Sequence, residues 1–138
     1  MPILNYTTKI NASKTVGEIQ EILAKHGALK IMLDYENGLP VALAFQIDTP
    51  CGLQSIRLPA NAPGVLQAMK DDGVKADEKR GCDVAWRICK DWIEAQMAFV
   101  KARQAEMSQI FLPYIITGDD HTVYELFQRR SLLMDGGA

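Results

Sequence analysis

The chain has 138 residues, 48% hydrophobic and 23% charged, with ten Gly, six Pro and three Cys, a profile that fits one globular domain and leaves no room for a second. Fifteen Lys and Arg against seventeen Asp and Glu give a net charge of −2, so no overall positive field draws it to nucleic acid or anionic lipid, and such binding needs a local basic patch. No apolar run approaches the ~18 residues of a membrane span, and Met1 to Ile10 lacks the basic start and apolar stretch of a secretory signal, which implies a cytoplasmic location.

In chain order, Ile3 to Ile10 alternates with two Thr and a Tyr and is predicted as a first strand. Thr15-Val16-Gly17-Glu18 fits a capping box opening a helix, with Val16, Ile19, Ile22 and Leu23 at helical spacing, His26 in its last turn and Gly27 as its stop. Three strands follow: Leu29 to Tyr35, Val41 to Asp48 and Leu53 to Leu58, joined through Asn37-Gly38 and Thr49-Pro50-Cys51-Gly52. Alternation assigns Ile31, Leu33, Tyr35, Val41, Leu43, Phe45, Ile47, Ile56 and Leu58 to a core face. The opposite face, with Lys30, Met32, Asp34, Ala42, Ala44, Gln46, Asp48, Ser55 and Arg57, is small and polar.

Asn61 caps a short helix with Pro63 in its first turn, and the charged stretch from Asp71 to Lys79 reads as an exposed connection. From about Asp77 to Leu112 only Gly81 interrupts strong helix formers, until Pro113 forbids continuation. Such a helix would extend ~50 Å, beyond the globule that carries it. Its apolar residues form two stripes, one through Ala85, Ile88, Trp92 and Phe99, the other through Trp86, Cys89, Ile93, Met97, Val100 and Met107. One stripe can cover the sheet; the other is expected to pack on a second copy, and Trp86, Cys89, Ile93, Met97, Val100 and Met107 are the candidate self-association residues. A third face, Asp83, Arg87, Lys90, Asp91 and Glu94, is expected to be solvated and laced by i,i+4 ion pairs. After a short apolar segment, Tyr114 to Thr117, the turn Gly118-Asp119-Asp120 leads to a second capping box, Thr122 to Glu125. The last helix then runs to about Leu133 and docks through Leu126, Phe127 and Leu132, with Met134 to Ala138 fraying.

Little in this pattern carries chemistry. Cys51, Cys82 and Cys89 form no CxxC pair, and the seven-residue spacing of the last two suits buried thiols on one helical stripe. His26 reads as a helix-end residue, and Asp119, Asp120, His121 and Glu125 as a turn entering a helix. No serine sits in a glycine elbow and no Gly-rich phosphate loop is present. The expectation is a non-enzymatic protein with no catalytic residues, no metal and no cofactor. Lys30, Arg57, Lys79, Arg80, Lys101 and Arg103 are the candidate phosphate contacts, which an oligomer would align into a track.

The order helix, three-stranded meander, helix resembles the double-stranded-RNA-binding domain and the core of Rad52-type strand-annealing proteins, although the start of the long helix, Lys79 to Ala85, lacks the lysine-rich pattern of the former. More of the chain is involved in a second resemblance. Thr15-Val16-Gly17-Glu18-Ile19-Gln20, Leu58-Pro59-Ala60-Asn61, the run Ala85 to Gln96 (AWRICKDWIEAQ) and Phe111-Leu112-Pro113-Tyr114 look like a family of small proteins encoded by phages, prophages and mobile elements. That resemblance implies a bacterial host cell and a role in handling DNA or disarming host defences. The expected fold is α+β, with a β-α-β-β-β-α antiparallel sheet covered by helices, one long C-terminal helix and a short final helix. Residues 1–76 would form the sheet part and 77–138 the helical part of a single domain. The expected function is an oligomeric accessory protein binding single-stranded or recombining DNA; the alternative is an anti-defence protein that sequesters a host protein or a nucleotide signal on the polar sheet face.

Overall fold

The computed structural model describes residues 3–137, with side chains described for 3–130. Its sheet has four antiparallel strands in the order β1-β2-β3-β4: Lys30–Glu36, Leu39–Thr49, Gly52–Arg57 and Ile115–Ile116. The helices are α1 (Ala12–Lys25), α2 (Ala62–Asp71), α3 (Glu78–Lys101), α4 (Met107–Phe111) and α5 (Val123–Gly137). The anticipated α+β class, with its antiparallel sheet, long helix and short final helix, is the one observed. Among the described residues no helix is long and apolar enough to cross a membrane.

The strands form where alternation placed them, and the Asn37-Gly38 turn takes positive φ at both residues (51° and 77°), as a tight hairpin demands. Leu43, Phe45, Ile47, Ile56 and Leu58 are buried, meeting Val16, Ile19 and Leu23 of α1 and Trp86, Cys89, Ile93 and Met97 of α3 in one core. Tyr35 departs from the expected inward face. The register jumps from Asp34↔Ala42 to Tyr35↔Pro40, leaving Val41 as an extra residue in β2, and this bulge turns Tyr35 out (56% exposed) while burying Pro40. Proline tolerates that place because a bulge needs no ladder N–H there.

Several expectations are corrected by tertiary contacts. Ile3 to Ile10 is not a strand: Leu4–Thr7 makes a 3-10 turn, and the segment lies on α3 because Arg80 donates to the carbonyl oxygens of Tyr6 and Thr8, both at 2.6 Å. The fourth strand is instead Ile115–Ile116, beside β3. Helix α1 starts earlier than the Thr15 box, at Asn11, whose side chain accepts from Lys14 N–H at 3.2 Å, and Thr15 is buried one turn inside the helix. The expected solvated face of α3 is only partly so: Asp91 and Glu94 are exposed and Lys90 pairs with Glu94 as anticipated, but Asp83, Arg87 and Lys90 also meet α1. Asp83 is 6% exposed and accepts from Ala12 N–H at 2.7 Å, while Arg87 and Lys90 both reach Glu18, at 3.2 and 3.3 Å.

Helix α3 begins as the sequence implied, with Asp77 accepting from Arg80 N–H at 2.8 Å. Gly81 is required by a close approach: a Cβ there would stand 2.4 Å from Leu66 of α2. The helix stops at Lys101, eleven residues short of Leu112, so it spans about 36 Å instead of ~50 Å. Arg103 takes φ +60°, with its own N–H on Val100 O and Gln104 N–H on Phe99 O, a terminator usually built on glycine. The reversal returns α4 to the core, where Phe111 meets Phe45 and Trp92 edge-on at 5.3 and 5.8 Å. At the other end of the chain, the Thr122 and Glu125 capping box forms as expected, at 3.0 and 3.2 Å, and α5 continues to Gly137. Leu126 is half-buried, but Phe127 is 65% exposed and stacks on Tyr124, so it does not dock; the side chain of Leu132 lies outside those described.

Candidate functional site

The six cations expected to contact phosphate occupy three separate places. Lys30 and Arg57 share the open face of the sheet, with Gln46 and Ser55 between them. Lys79 and Arg80 stand at the first turn of α3, and Lys101 and Arg103 at or just beyond its last turn, about 33 Å away along the axis. Three of the six are engaged inside the molecule. Arg80 is spent on the carbonyls of Tyr6 and Thr8, Lys79 pairs with Asp83 at 2.9 Å, and Arg57 pairs with Asp120 at 3.2 Å. Asp34 and Asp48 add negative charge to the sheet face that carries Lys30.

The residues expected to mediate self-association are also placed differently. Trp86, Cys89, Ile93 and Met97 are at most 4% exposed and form the floor on which the sheet rests. Val100 and Met107 are partly buried against the same core. Most of this stripe is therefore consumed by the fold, and only Val100 and Met107 keep partly open surface. The second stripe is largely covered as well. Ile88 packs with Tyr6, Met69 and Val84, and Trp92 meets Phe111 and Tyr114 edge-to-face, leaving Phe99 as its large exposed member at 47%.

Burial accounts for the thiols. Cys89 is pushed up to about 12 by desolvation alone. Cys82 is raised by desolvation and then by the Asp83 charge, and its Sγ–H donates to Pro40 O at 3.3 Å. Cys51 is exposed on the β2–β3 turn. In the loop before α5, His121 Nδ1 lies 3.5 Å from Glu125, whose carboxyl is held below its ordinary value by the Thr122 N–H and hydroxyl of the capping box.

A partly enclosed concavity lies where the β1–β2 hairpin, the start of α2 and the first two turns of α3 meet. It encloses about 370 Å³, within the range of small-ligand sites. Its floor is buried and apolar, from Pro40, Ala85 and Trp86, with Leu39, Ala60 and Leu66 on the walls. The indole Nε1–H of Trp86 donates to Pro40 O at 2.8 Å, which fixes the ring against the bulged strand. Exposed Glu36, Asn37, Asn61 and Glu78 stand around the mouth. Neither Glu36 nor Glu78 makes an ion pair with a described residue, and the neighbouring cations of α3, Lys79 and Arg80, are directed to Asp83 and to the N-terminal segment. The cleft is thus an apolar well under two unneutralised carboxylates, suited to a cation carried on an apolar stem.

Sequence reasoning missed this cleft because its parts come from three elements that only packing brings together. Its one local trace was Pro40, directly before the expected strand at Val41 and inside the observed one, where a proline marks an edge or a bulge. No family model, curated protein or solved structure matches the chain.

Proposed function

We propose that the chain is a non-enzymatic accessory protein of phage type that binds a host polypeptide, taking a Lys or Arg side chain of that partner into the cleft between the hairpin and α3. One observation carries this reading: Glu36 and Glu78 stand unpaired at the mouth of an apolar well floored by Trp86. The aliphatic stem of the partner residue would lie on Leu39, Pro40 and Ala85 and its charge would meet the carboxylates. Sequestration of a host defence protein is a role such binding serves.

Titration of Lys- and Arg-containing decapeptides, with acidic decapeptides as controls, tests it through the indole N–H resonance of Trp86, assigned with a Trp92→Phe variant. Basic peptides should shift that resonance, and Glu36→Gln with Glu78→Gln together should weaken binding about tenfold. Basic peptides that leave the resonance unmoved would overturn the reading.

Single-stranded DNA binding is the second reading, favoured by Lys30, Gln46, Ser55 and Arg57 lying across one open sheet face. A labelled oligonucleotide titrated at low salt should then change anisotropy, with affinity falling steeply as salt is added. An unchanged signal would remove it.

A further inference from the structure

Strand β1 is the outermost strand of the sheet, with β2 on one side and, among the described residues, no strand on the other. The ladder identifies which of its backbone groups are unpaired. Leu58 N–H donates to Leu43 O, and the register continues through Phe45↔Ile56 and Ile47↔Gln54. Leu43, Phe45 and Ile47 therefore turn their backbone toward β3, and Ala42, Ala44 and Gln46 turn theirs toward β1. The acceptance of Leu29 N–H by Gln46 O agrees with that direction. Asp34, Met32 and Lys30 stand opposite these three residues. The N–H and C=O groups of Ile31 and Leu33 are thus aimed outward from the edge, away from β2.

Lys30, Asp34 and Glu36 put charge on this edge and the Asp34/Tyr35 bulge ends its regular pairing, yet the stretch Ile31-Met32-Leu33 between them stays open. Its seven residues contain no proline, Leu29, Met32 and Tyr35 are 61, 68 and 56% exposed, and Ile31 and Leu33 are only partly buried.

We propose that a second copy of this chain pairs with it along β1, antiparallel and related by a two-fold axis through Met32, so that one sheet runs through both copies. The side chains fix the register. Centring on Met32 sets Ile31 opposite the partner copy's Leu33 position, Lys30 opposite the Asp34 position and Leu29 opposite the Tyr35 position, each pair occurring twice. Apolar residues meet apolar residues and the cation meets a carboxylate. Ile31 and Leu33 carry the outward backbone groups, so they face each other as hydrogen-bonded pairs. A slide of one residue would set Lys30 against Tyr35 and Ile31 against Asp34, and would bring outward backbone groups against inward ones. This self-complementarity of a single strand is the argument for an identical copy over a different protein. It also supplies a route to the oligomer that does not use the buried stripe of α3.

Sedimentation or light scattering across a concentration series reads the result, with three charge variants. Wild type should dimerise. Lys30→Asp, which faces Asp34 with a like charge, and Asp34→Lys, which faces Lys30, should each weaken the dimer about tenfold. Mixing the two variants should restore it as a heterodimer, and the double variant K30D/D34K should restore it as a homodimer. Thermal unfolding of each chain checks folding, since both positions are exposed. Wild type that stays monomeric at the highest soluble concentration would overturn the proposal, and so would single variants that dimerise as wild type does.

Discussion

Glu18 shows how one side chain ties two helices together. It sits on α1 opposite Arg87 and Lys90 of α3, and these two side chains also touch Thr15 and Glu94 respectively. Desolvation pushes the Glu18 carboxyl upward, but the Lys90 hydrogen bond and the charge of Arg87 outweigh it and hold the group below its ordinary value. A carboxyl lowered on folding adds stability that is complete above its unfolded pKa and lost as pH falls through the depressed folded value. Urea unfolding of Glu18→Gln should therefore show lower stability than wild type at pH 7, with the two curves converging as pH drops below about 4. Added salt should shrink the difference at pH 7, since the three side chains are partly open to solvent. A constant gap between the two proteins from pH 7 to pH 3 would show that Glu18 acts through packing and not through its charge. The sequence suggested Glu18 as the returning arm of a capping box; its true partners lie about seventy residues away, beyond the reach of any local pattern.

The starts of α2, α3 and α5 were legible because they are written locally. Asn61, Asp77 and Thr122 each cap the helix they were expected to cap or open, and Asn37-Gly38 makes its hairpin. The end of α3 was not, because its terminator carries no glycine or proline: the chain turns at Arg103, in a run of good helix formers, since burying Phe111 between Phe45 and Trp92 outweighs continued helix. An L-residue held left-handed costs about 1 kcal/mol. Arg103→Gly should relieve that cost and raise stability by about 0.5–1 kcal/mol, offset in part by the greater freedom glycine gives the unfolded chain. Thermal unfolding would measure this, and a fall in stability would mean that the Arg103 side chain makes a contact worth more than the strain. The same variant bears on the second functional reading, because an oligonucleotide affinity unaffected by Arg103→Gly would remove that residue from the phosphate contacts.

At the scale of the whole molecule, the N-terminal segment works as a strap across α3. Asn5 donates to Asp91 at 2.9 Å, Tyr6 donates its hydroxyl to Asp72 at 2.9 Å, Arg80 grips two carbonyls, and Asp83 accepts from the first N–H of α1. Periodicity read Ile3 to Ile10 as a strand because alternation sees side chains and not the guanidinium that takes the backbone. The same blindness hid the partners that Arg80 and Lys79, expected as phosphate contacts, have within the chain. Asp83 is the anchor of this arrangement: it is buried, it satisfies an otherwise unpaired amide at a helix start, and it holds Lys79. Asp83→Ala should cost about 2 kcal/mol, because Ala12 N–H is then buried without an acceptor. Hydrogen exchange should show that loss first at Ala12 to Lys14, where α1 begins. Arg80→Ala should instead release Tyr6 to Thr8 from protection while leaving oligonucleotide affinity at its wild-type value. An Arg80→Ala protein that kept those amides protected but lost nucleic-acid binding would reverse the assignment, making Arg80 a phosphate contact and leaving the strap to its other three ties.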